Sequence, residues 1–355
     1  MKTPKAISTR PIYSRDFGVA EVFTDEGIVG VGYTFNKTAP IIADQLKRLV
    51  IGLDPFDVEY IWQKMYANEG SSYQKGLSVR AISMIDIALW DIIGKATNKP
   101  LYKILGGFRD RVPCYTSAGY YRVPPTSQSV NELVEEMCGL AKKGARYLKM
   151  RIGGLTLEQD IKRVRAVKAA LGDGVGLMVD ANNAYSFIEA LKMGRWLEKE
   201  NVYWFEEPLK PDDWRGYRQL VLQLEIPVVS GELEYTRFGF RDIIMRGAAD
   251  IIQPDACVCG GVTEWKKIVA FADTFCVPVA PHVIGDGGVN LHLSATCNNL
   301  LLMEYFEKES EISKVEELFN GYTEAKDGYV EVPKKPGLGL SLNRKTLERY
   351  GGNVV

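Results

Sequence analysis

Between residues 112 and 306, short apolar runs alternate with amphipathic helical stretches, which is the pattern of βα units around a parallel sheet. Chemically distinctive residues lie towards the ends of seven of these runs. Successive members are separated by 29, 26, 26, 23, 27 and 22 residues, about one βα unit each time, and they are Arg151, Asp180, Glu206, Glu232, Asp255, His282 and Glu304. Chance placement of polar residues would not keep this spacing, so the chain is constrained to a repeating α/β fold.

Eight apolar runs are present, and we predict a strand at each: VPCYTSAGY, YLKMRI, VGLMVDAN, VYWFEEP, PVVSGEL, DIIQPDA, PVAPHV and LLLMEYF. Helix starts between them carry capping-box pairs, Thr156 with Gln159 and Ser186 with Glu189, which satisfy backbone N–H groups at a helix N-terminus. Eight strands with helices between them predict a (β/α)8, TIM-like barrel.

The sequence on either side of the barrel has a different rhythm. Residues 18–35 form two β-rich runs around TDEG, which predicts a hairpin. Apolar residues then recur at helical spacing, which predicts helices over about 38–49, 55–68 and 77–96. We therefore predict an α+β N-terminal capping domain at 1–111 and the catalytic barrel at 112–312. The segment 313–355, irregular and β-like, is expected to return to the cap and complete it.

Composition excludes several classes of protein. Lys and Arg number 44 against 45 Asp and Glu, so a net charge of -1 leaves no electrostatic footprint for nucleic acid. The start MKTPKAISTRPIY lacks the apolar core of a signal peptide, and no apolar run is long enough to span a membrane. We expect a cytoplasmic protein, in which the pair Cys257 and Cys259 is buried and structural rather than zinc-binding.

Three consecutive predicted strands end in carboxylates, namely Asp180, Glu206 and Glu232. Functional side chains of a (β/α)8 barrel gather at the C-terminal ends of its strands, so these acids would converge and repel each other. A hard divalent cation removes that conflict, and an all-oxygen ligand set favours one Mg²⁺. The neighbouring Glu207 is expected to point to the opposite side of its strand.

Two cations and a histidine accompany the acids. Lys149 and Arg151 are two residues apart on one strand and share a face, where they either form structural ion pairs or, for Lys149, hold an anionic substrate group. His282 follows the strand next to that of Asp255, and a carboxylate bonded to one ring nitrogen raises the basicity of the other. His292, in GVNLHLSAT, is expected to be structural.

The order and spacing of these motifs resemble the enolase superfamily, specifically the mandelate racemase-like subgroup of the mandelate racemase/muconate lactonizing enzyme family. The resemblance covers nearly the whole chain, through TDEGIVGVG, AISMIDIALWDIIGK, PLYKILGG, KMR, VDANNAY, WFEEPL, SGE, PDACVCGGVTEW, PHV and MEYF. Enolase-superfamily sites pair a Lys or His base with Mg²⁺.

The resemblance implies a role for each matching residue. Asp180, Glu206 and Glu232 would bind Mg²⁺, and His282–Asp255 would be a general acid/base dyad. Glu304 would donate a hydrogen bond to the substrate carboxylate, while Asn182 and Tyr33 would contact substrate. Lys149 matches the first lysine of the family's K-x-K motif, and the second position, usually a lysine base, is Arg151 here. A guanidinium is a poor base at neutral pH.

The implied function is Mg²⁺-dependent dehydration of an acid sugar or related 2,3-dihydroxy carboxylate to a 2-keto-3-deoxy acid, through an enediolate. The alternatives are racemisation or epimerisation at the α-carbon, with Arg151 as an unusual second base, and a non-catalytic binding scaffold. Residues 10–17 and 69–76 are candidate loops over the substrate. Relatives imply a homo-oligomer, either a dimer or an octamer.

Overall fold

The computed structural model describes residues 17–35, 38–68, 75–121, 129–283, 288–307 and 317–350. Most of the two candidate substrate loops, 10–16 and 69–74, lies outside these residues. The predicted hairpin is confirmed as strands β1 (Phe17–Phe23) and β2 (Val29–Phe35), which pair antiparallel. At its turn the hydroxyl of Thr24 accepts from the backbone N of Ile28 at 3.0 Å and also donates to that residue's carbonyl at 3.1 Å.

The cap continues with the predicted helices, in nearly the predicted places. They are α1 (Ala39–Ile41), a π-helical turn (Ile42–Leu46), α2 (Lys47–Val50), α3 (Val58–Asn68), α4 (Leu77–Ala96) and α5 (Leu101–Ile104). Helix α4 is buried along almost its whole length because β2 covers one side and the barrel the other. A Cβ at Gly32 of β2 would lie 1.7 Å from the carbonyl oxygen of Met84, so only glycine permits this close contact.

The barrel strands are mutually parallel and follow the chain order around the barrel, with β9 returning to pair with β3. They are β3 (Arg111–Ala118), β4 (Tyr147–Arg151), β5 (Gly176–Asp180), β6 (Phe205–Glu206), β7 (Val228–Ser230), β8 (Ile251–Ile252) and β9 (Met303–Tyr305). The intervening helices are α6 (Val130–Lys142), α7 (Leu157–Leu171), α8 (Phe187–Lys199), α9 (Trp214–Gln223), α10 (Thr236–Arg246), α11 (Ala256–Cys259), α12 (Gly261–Thr274) and α13 (Val289–Ser294).

The seventh predicted strand, PVAPHV, forms only an isolated bridge. Val279 pairs in parallel with Ile252 on one side and with Leu300 on the other, which closes the barrel between β8 and β9. Pro278 and Pro281 flank this bridge and have no N–H to donate to a neighbouring strand, so a longer ladder cannot form there.

The barrel interior contains a layer of buried apolar side chains from the strands and the residues beside them: Tyr115, Met178, Trp204, Val229, Ile251, Ala280 and Leu302. Four polar residues each follow a residue of this layer by two positions in the sequence: Asp180, Glu206, His282 and Glu304. Side chains alternate along a strand, so these polar groups lie directly above the apolar layer, at the C-terminal mouth of the barrel.

The C-terminal segment returns to the cap, as predicted. Strands β10 (Phe319–Asn320) and β13 (Ser341–Leu342) pair with each other, the hairpin of β11 (Ala325–Lys326) and β12 (Tyr329–Glu331) extends β3, and α14 (Arg344–Tyr350) follows. The backbone N of Leu338 donates to Asp91 of α4 at 2.9 Å, and Arg344 pairs with Glu21 of β1. The proposed domain limits at 111 and 312 stay predictions.

His292 is buried in α13, where it joins three parts of the fold. Its Nδ1 accepts from the backbone N of Tyr102 at 3.3 Å, and its Nε2 donates to the carbonyl of Leu338 at 3.0 Å. Burial lowers the pKa of His292 to about 4. The predicted structural role of this histidine is consistent with these contacts.

His292 should make stability pH-dependent. The unfolded chain takes up a proton at this imidazole below about pH 6.5, whereas the folded protein does so only near pH 4, so the free energy of unfolding falls as the pH drops through that window. The loss is at most roughly 3 kcal/mol. Urea unfolding at pH 7 and pH 4.5 should show a smaller pH-dependent loss for His292→Gln than for the parent. An equal loss in both proteins would contradict this prediction.

Candidate active site

Neighbouring parallel strands bring the predicted polar residues together at one mouth. Arg151 of β4 pairs with Asp180 of β5, and Asp180 pairs with Glu206 of β6. Glu232 follows β7 after Gly231, which has a φ of +128°, a backbone conformation that favours glycine. The spacing seen in the sequence therefore corresponds to a cluster of side chains in space.

The three predicted metal ligands form a compact group. Asp180, Glu206 and Glu232 each present a carboxylate oxygen, all within 4.8 Å of one another, and this is the group of potential metal ligands found among the described residues. Oε2 of Glu232 is buried and accepts no hydrogen bond from the described residues, which is an expensive arrangement for a carboxylate without a further partner. Three carboxylates, one of which has an oxygen without a hydrogen-bond donor, form a ligand set that suits a hard cation such as Mg²⁺.

Lys149 lies among the acids, with 1% of its side chain exposed. Its Nζ lies 2.5 Å from Oε1 of Glu206, 2.9 Å from Oε1 of Glu304 and 3.5 Å from Oδ2 of Asp180. Burial alone would lower the pKa of Lys149, but the surrounding carboxylates outweigh it and raise the pKa above its usual value. The ammonium therefore stays charged and balances part of the negative charge.

Arg151 pairs with a single metal-ligand candidate. Its guanidinium donates to Oδ2 of Asp180 and lies over the ring of Tyr120, 5.1 Å from the centroid. Burial alone would lower the pKa of Arg151, but Asp180 outweighs it and raises the pKa above its usual value. Arg151 is held in its protonated form.

The acids differ in their charge state because their neighbours differ. Burial raises the pKa of Glu206 to about 8, against the opposing effect of Lys149. Burial also acts on Asp180, but Arg151 and Lys149 outweigh it and lower the pKa. For Glu304, Lys149 and His282 likewise outweigh burial and lower the pKa. Two cations thus lie among four acids, Asp180, Glu206, Glu232 and Glu304, so negative charge exceeds positive charge at this mouth.

The predicted histidine–aspartate pair is present. Nδ1 of His282 donates to Oδ2 of Asp255 at 2.8 Å, which leaves Nε2 facing the acids, 3.6 Å from Oε2 of both Glu232 and Glu304. Burial alone would lower the pKa of His282, but Glu232, Glu304 and Asp255 raise it to about 9. Asn290, which sequence reasoning missed, donates to the other oxygen of Asp255 at 2.8 Å.

The regular alternation of side chains does not extend to Glu207. Strand β6 ends at Glu206, and Glu207 has a φ of +41°, so the alternation of side chains stops before it. Its carboxylate accepts from the amide of Asn183 at 2.8 Å and of Asn182 at 3.4 Å. Burial raises the pKa of Glu207, and the charges of Glu232 and Asp180 raise it further. Glu207 is not in the group of potential metal ligands found among the described residues.

The two predicted substrate contacts differ in their positions. Asn182 is exposed at the mouth, and its backbone N donates to Oδ1 of Asp180 at 2.7 Å. Tyr33 is fully buried, accepts from the backbone N of Val289 at 2.8 Å and packs on Phe319 with ring centroids 5.0 Å apart. The structure brings Asn182 to the site but places Tyr33 between the cap and α13, away from the substrate-facing side chains.

Comparison with models of protein families gives two matches that together span most of the chain. Residues 1–106 match "Mandelate racemase / muconate lactonizing enzyme, N-terminal domain", and residues 131–346 match "Enolase C-terminal domain-like". The chain belongs to the mandelate racemase/muconate lactonizing enzyme family of the enolase superfamily. The resemblance inferred from the sequence motifs is confirmed.

Similar proteins with a stated activity include dehydratases and a cycloisomerase. The arabinonate dehydratase of Saccharolobus solfataricus is 35% identical, over 93% of this chain and 89% of its own. The L-talarate dehydratase of Polaromonas sp. JS666, solved with Mg and L-glucarate, is 33% identical with a TM-score of 0.87, over 97% and 94%. The 3,6-anhydro-D-galactonate cycloisomerase of Zobellia galactanivorans is 34% identical with a TM-score of 0.86, over 95% and 94%.

No helix in the described part of the chain combines the length and apolar character needed to cross a bilayer.

Cys257 and Cys259 are fully buried in α11, as expected for structural thiols.

The ligand assignment predicts opposite results for two adjacent acids. Glu206→Gln removes one of three charged donors and should weaken Mg²⁺ binding more than about 100-fold, since losing an outer-shell partner alone costs about 10–100-fold. Glu207→Gln keeps an acceptor for Asn183 and should leave Mg²⁺ affinity within a few-fold of the parent. Isothermal titration with MgCl₂ measures both, with circular dichroism to confirm folding. A Glu206→Gln protein that binds Mg²⁺ as tightly as the parent would refute the assignment.

Proposed function

We propose that this protein is a Mg²⁺-dependent dehydratase that converts an acid sugar or related 2,3-dihydroxy carboxylate to a 2-keto-3-deoxy acid. The observation that carries the proposal is the position of His282. Its Nδ1 is bonded to Asp255, and its Nε2 faces Glu232 and Glu304 across 3.6 Å, at the edge of the three-acid group. Similar proteins named as arabinonate and talarate dehydratases support this choice of substrate class.

The acidic cluster and Lys149 together form the binding site for the carboxylate of the substrate. We assign Asp180, Glu206 and Glu232 as the Mg²⁺ ligands, and the cation, when bound, supplies Lewis-acid stabilisation of the enediolate that forms after α-proton loss. Lys149, which contacts Glu206 and Glu304, supplies a second positive charge on the same side. Glu304 is ionised beside Lys149, but an incoming carboxylate favours its protonated form, which donates a hydrogen bond.

His282 performs the proton transfers in this proposal. The neutral imidazole, which the charge of the acids disfavours until that charge is balanced, takes the α-proton at Nε2 while Asp255 fixes the tautomer at Nδ1. The resulting imidazolium gives that proton to the departing 3-hydroxyl, so the C–H and C3–O bonds break, water leaves and the enol becomes the 2-keto acid. One group on one face of the substrate accounts for both steps of a syn elimination.

Arg151 favours dehydration over the racemase or epimerase alternative. A two-base reaction needs a proton acceptor on the opposite face, where the family's second lysine would be. The guanidinium there is bonded to Asp180, and guanidinium groups stay protonated at neutral pH. The cycloisomerase relative keeps isomerisation as the second candidate. The clustered charges argue against a non-catalytic scaffold, since burying them has a cost and no benefit without chemistry.

The remaining proposals concern the protein's setting. We propose a small-molecule carboxylate as the partner of the site, a cytoplasmic location, and a homo-oligomer that is a dimer or an octamer, in line with the family resemblance.

The proposal predicts which variants lose α-proton exchange. His282→Asn removes the base and should eliminate both dehydration and exchange of the substrate α-proton with D₂O, followed by NMR on a substrate of the proposed class. Arg151→Lys should keep part of the dehydration, or gain exchange from the restored amine. Asp255→Asn should fall between them, because the imidazole remains but loses its orienting charge.

The contradicting result is a His282→Asn enzyme that exchanges the α-proton at the parent rate. His282 would then serve only as the acid for the leaving hydroxyl, and the base would be Arg151 or a residue outside the described part of the chain.

A further inference from the structure

Asn290 is the second residue of α13, and its side chain is completely buried beside the histidine–aspartate pair. Nδ2 donates to Oδ1 of Asp255 at 2.8 Å, and Oδ1 accepts from the backbone N of Ala256 at 3.0 Å. Chemistry fixes this orientation of the amide, because the carboxylate only accepts and the backbone N–H only donates. Asn290 is therefore bonded both to the side chain of Asp255 and to the backbone that follows it.

The hydrogen bonds of Asp255 are divided unequally between its two oxygens. Oδ1 accepts from Asn290 and from the backbone N of Cys257, each at 2.8 Å, while Oδ2 accepts from Nδ1 of His282 at 2.8 Å. Two donors on Oδ1 prevent rotation of the carboxylate and keep Oδ2 aimed at the imidazole. We infer that Asn290 is a positioning residue that orients Asp255 and, through it, the ring of His282.

Helix α13 is itself held in place by the cap and the C-terminal segment. The hydroxyl of Tyr33 accepts from the backbone N of Val289, the residue before Asn290. His292, two residues after Asn290, bonds to Tyr102 and to Leu338. The side chain of Asn290 is thus carried on a fixed element, which suits a residue that sets the geometry of another group.

The inference rests on the proposed role of His282 as the base, and it predicts a loss confined to turnover. Without Asn290, Asp255 keeps Cys257 as a donor but can rotate, so the imidazole loses its single tautomer. We expect kcat to fall about 10–100-fold, as for other outer-shell partners of reacting groups, while KM and Mg²⁺ affinity stay within a few-fold.

Two substitutions separate the contributions. Asn290→Leu keeps the volume and removes both hydrogen bonds, so it should show the full loss of kcat. In Asn290→Asp the new carboxyl group, buried against Asp255, keeps its proton and replaces the lost N–H donor with an O–H. It should therefore retain more of kcat than Asn290→Leu does, and it also tests the inference if the leucine variant fails to fold.

Asn299 provides the matched control. Its Nδ2 donates to the carbonyl of Val277 at 2.8 Å and its Oδ1 accepts from Sγ of Cys297 at 3.1 Å, so Asn299→Leu likewise removes one donated and one accepted hydrogen bond, but neither involves Asp255 or His282. This variant should lose stability on heating while kcat remains that of the parent.

Histidine NMR measures the tautomer of His282 directly, and this tautomer would not change if Asn290 only stabilised the fold. The chain contains two histidines, so ¹⁵N-histidine labelling of the Mg²⁺-loaded protein gives two sets of imidazole signals, which His282→Asn assigns. Asn290→Leu should shift the signals of His282 towards a mixture of tautomers. The signals of His292, in the same helix, should stay in place and report that α13 is intact.

The inference is overturned if kcat of Asn290→Leu, or of Asn290→Asp where the leucine variant does not fold, stays within twofold of the parent, or falls no further than kcat of Asn299→Leu. It is also overturned if the signals of His292 shift as much as those of His282, since the effect is then disruption of α13. The proposed function fails separately, if His282→Asn itself retains dehydration and α-proton exchange.

Discussion

The buried ammonium of Lys149 is the interaction on which the site depends. Three carboxylates, those of Asp180, Glu206 and Glu304, lie within 3.5 Å of its Nζ. Withdrawing these charges from water costs several kcal/mol per ion, and only close, well-oriented partners offset that cost. The ammonium holds the carboxylates together at the barrel mouth but cannot balance all of them, even with Arg151. The negative charge that remains at the three acids is what a divalent cation would balance.

The cap determines the position of the catalytic pair as well as covering the barrel. The segment after β8 contains Asp255 and continues through α11 into α12. Described cap side chains bond to this segment along its length: Thr34 to the carbonyl of Cys257, Trp62 to the carbonyl of Gly260, Ser83 to the backbone N of Gly260, Asp86 and Trp90 to Thr263, and Glu59 to Lys267. Burial raises the pKa of Asp86 to about 7, so its carboxyl group retains a proton more readily than an exposed carboxyl group would. The cap thus helps to fix the position of Asp255, which bonds to the proposed base His282.

The alternation of side chains and the repeat of βα units are sufficient to place much of this site from the sequence. They locate Lys149, Asp180, Glu206 and Glu304 on one face because regular strands carry them. The same rule does not apply to Glu207, whose positive φ follows the end of β6, a local change that the sequence does not encode in any recognisable motif. The weak seventh strand was foreseeable, since Pro278 and Pro281 are visible in the sequence.

Residues that act through another group escape such reasoning. Asn290 lies 35 positions from Asp255 and has no motif that links the two. Tyr33 reaches α13 only because the cap packs on the barrel. Contacts of this kind depend on the relative placement of distant elements, which periodicity and capping signals do not specify.

The most direct test of the central claim is a screen of mono- and diacid sugars for 2-keto-3-deoxy acid formation, run with Mg²⁺ and again after chelation with EDTA. We predict that at least one 2,3-dihydroxy acid is converted with Mg²⁺ present, that EDTA stops the reaction, and that added Mg²⁺ restores it. Conversion at an unchanged rate after chelation, or a Mg²⁺-loaded protein that forms no 2-keto acid from any member of the library, would contradict the account.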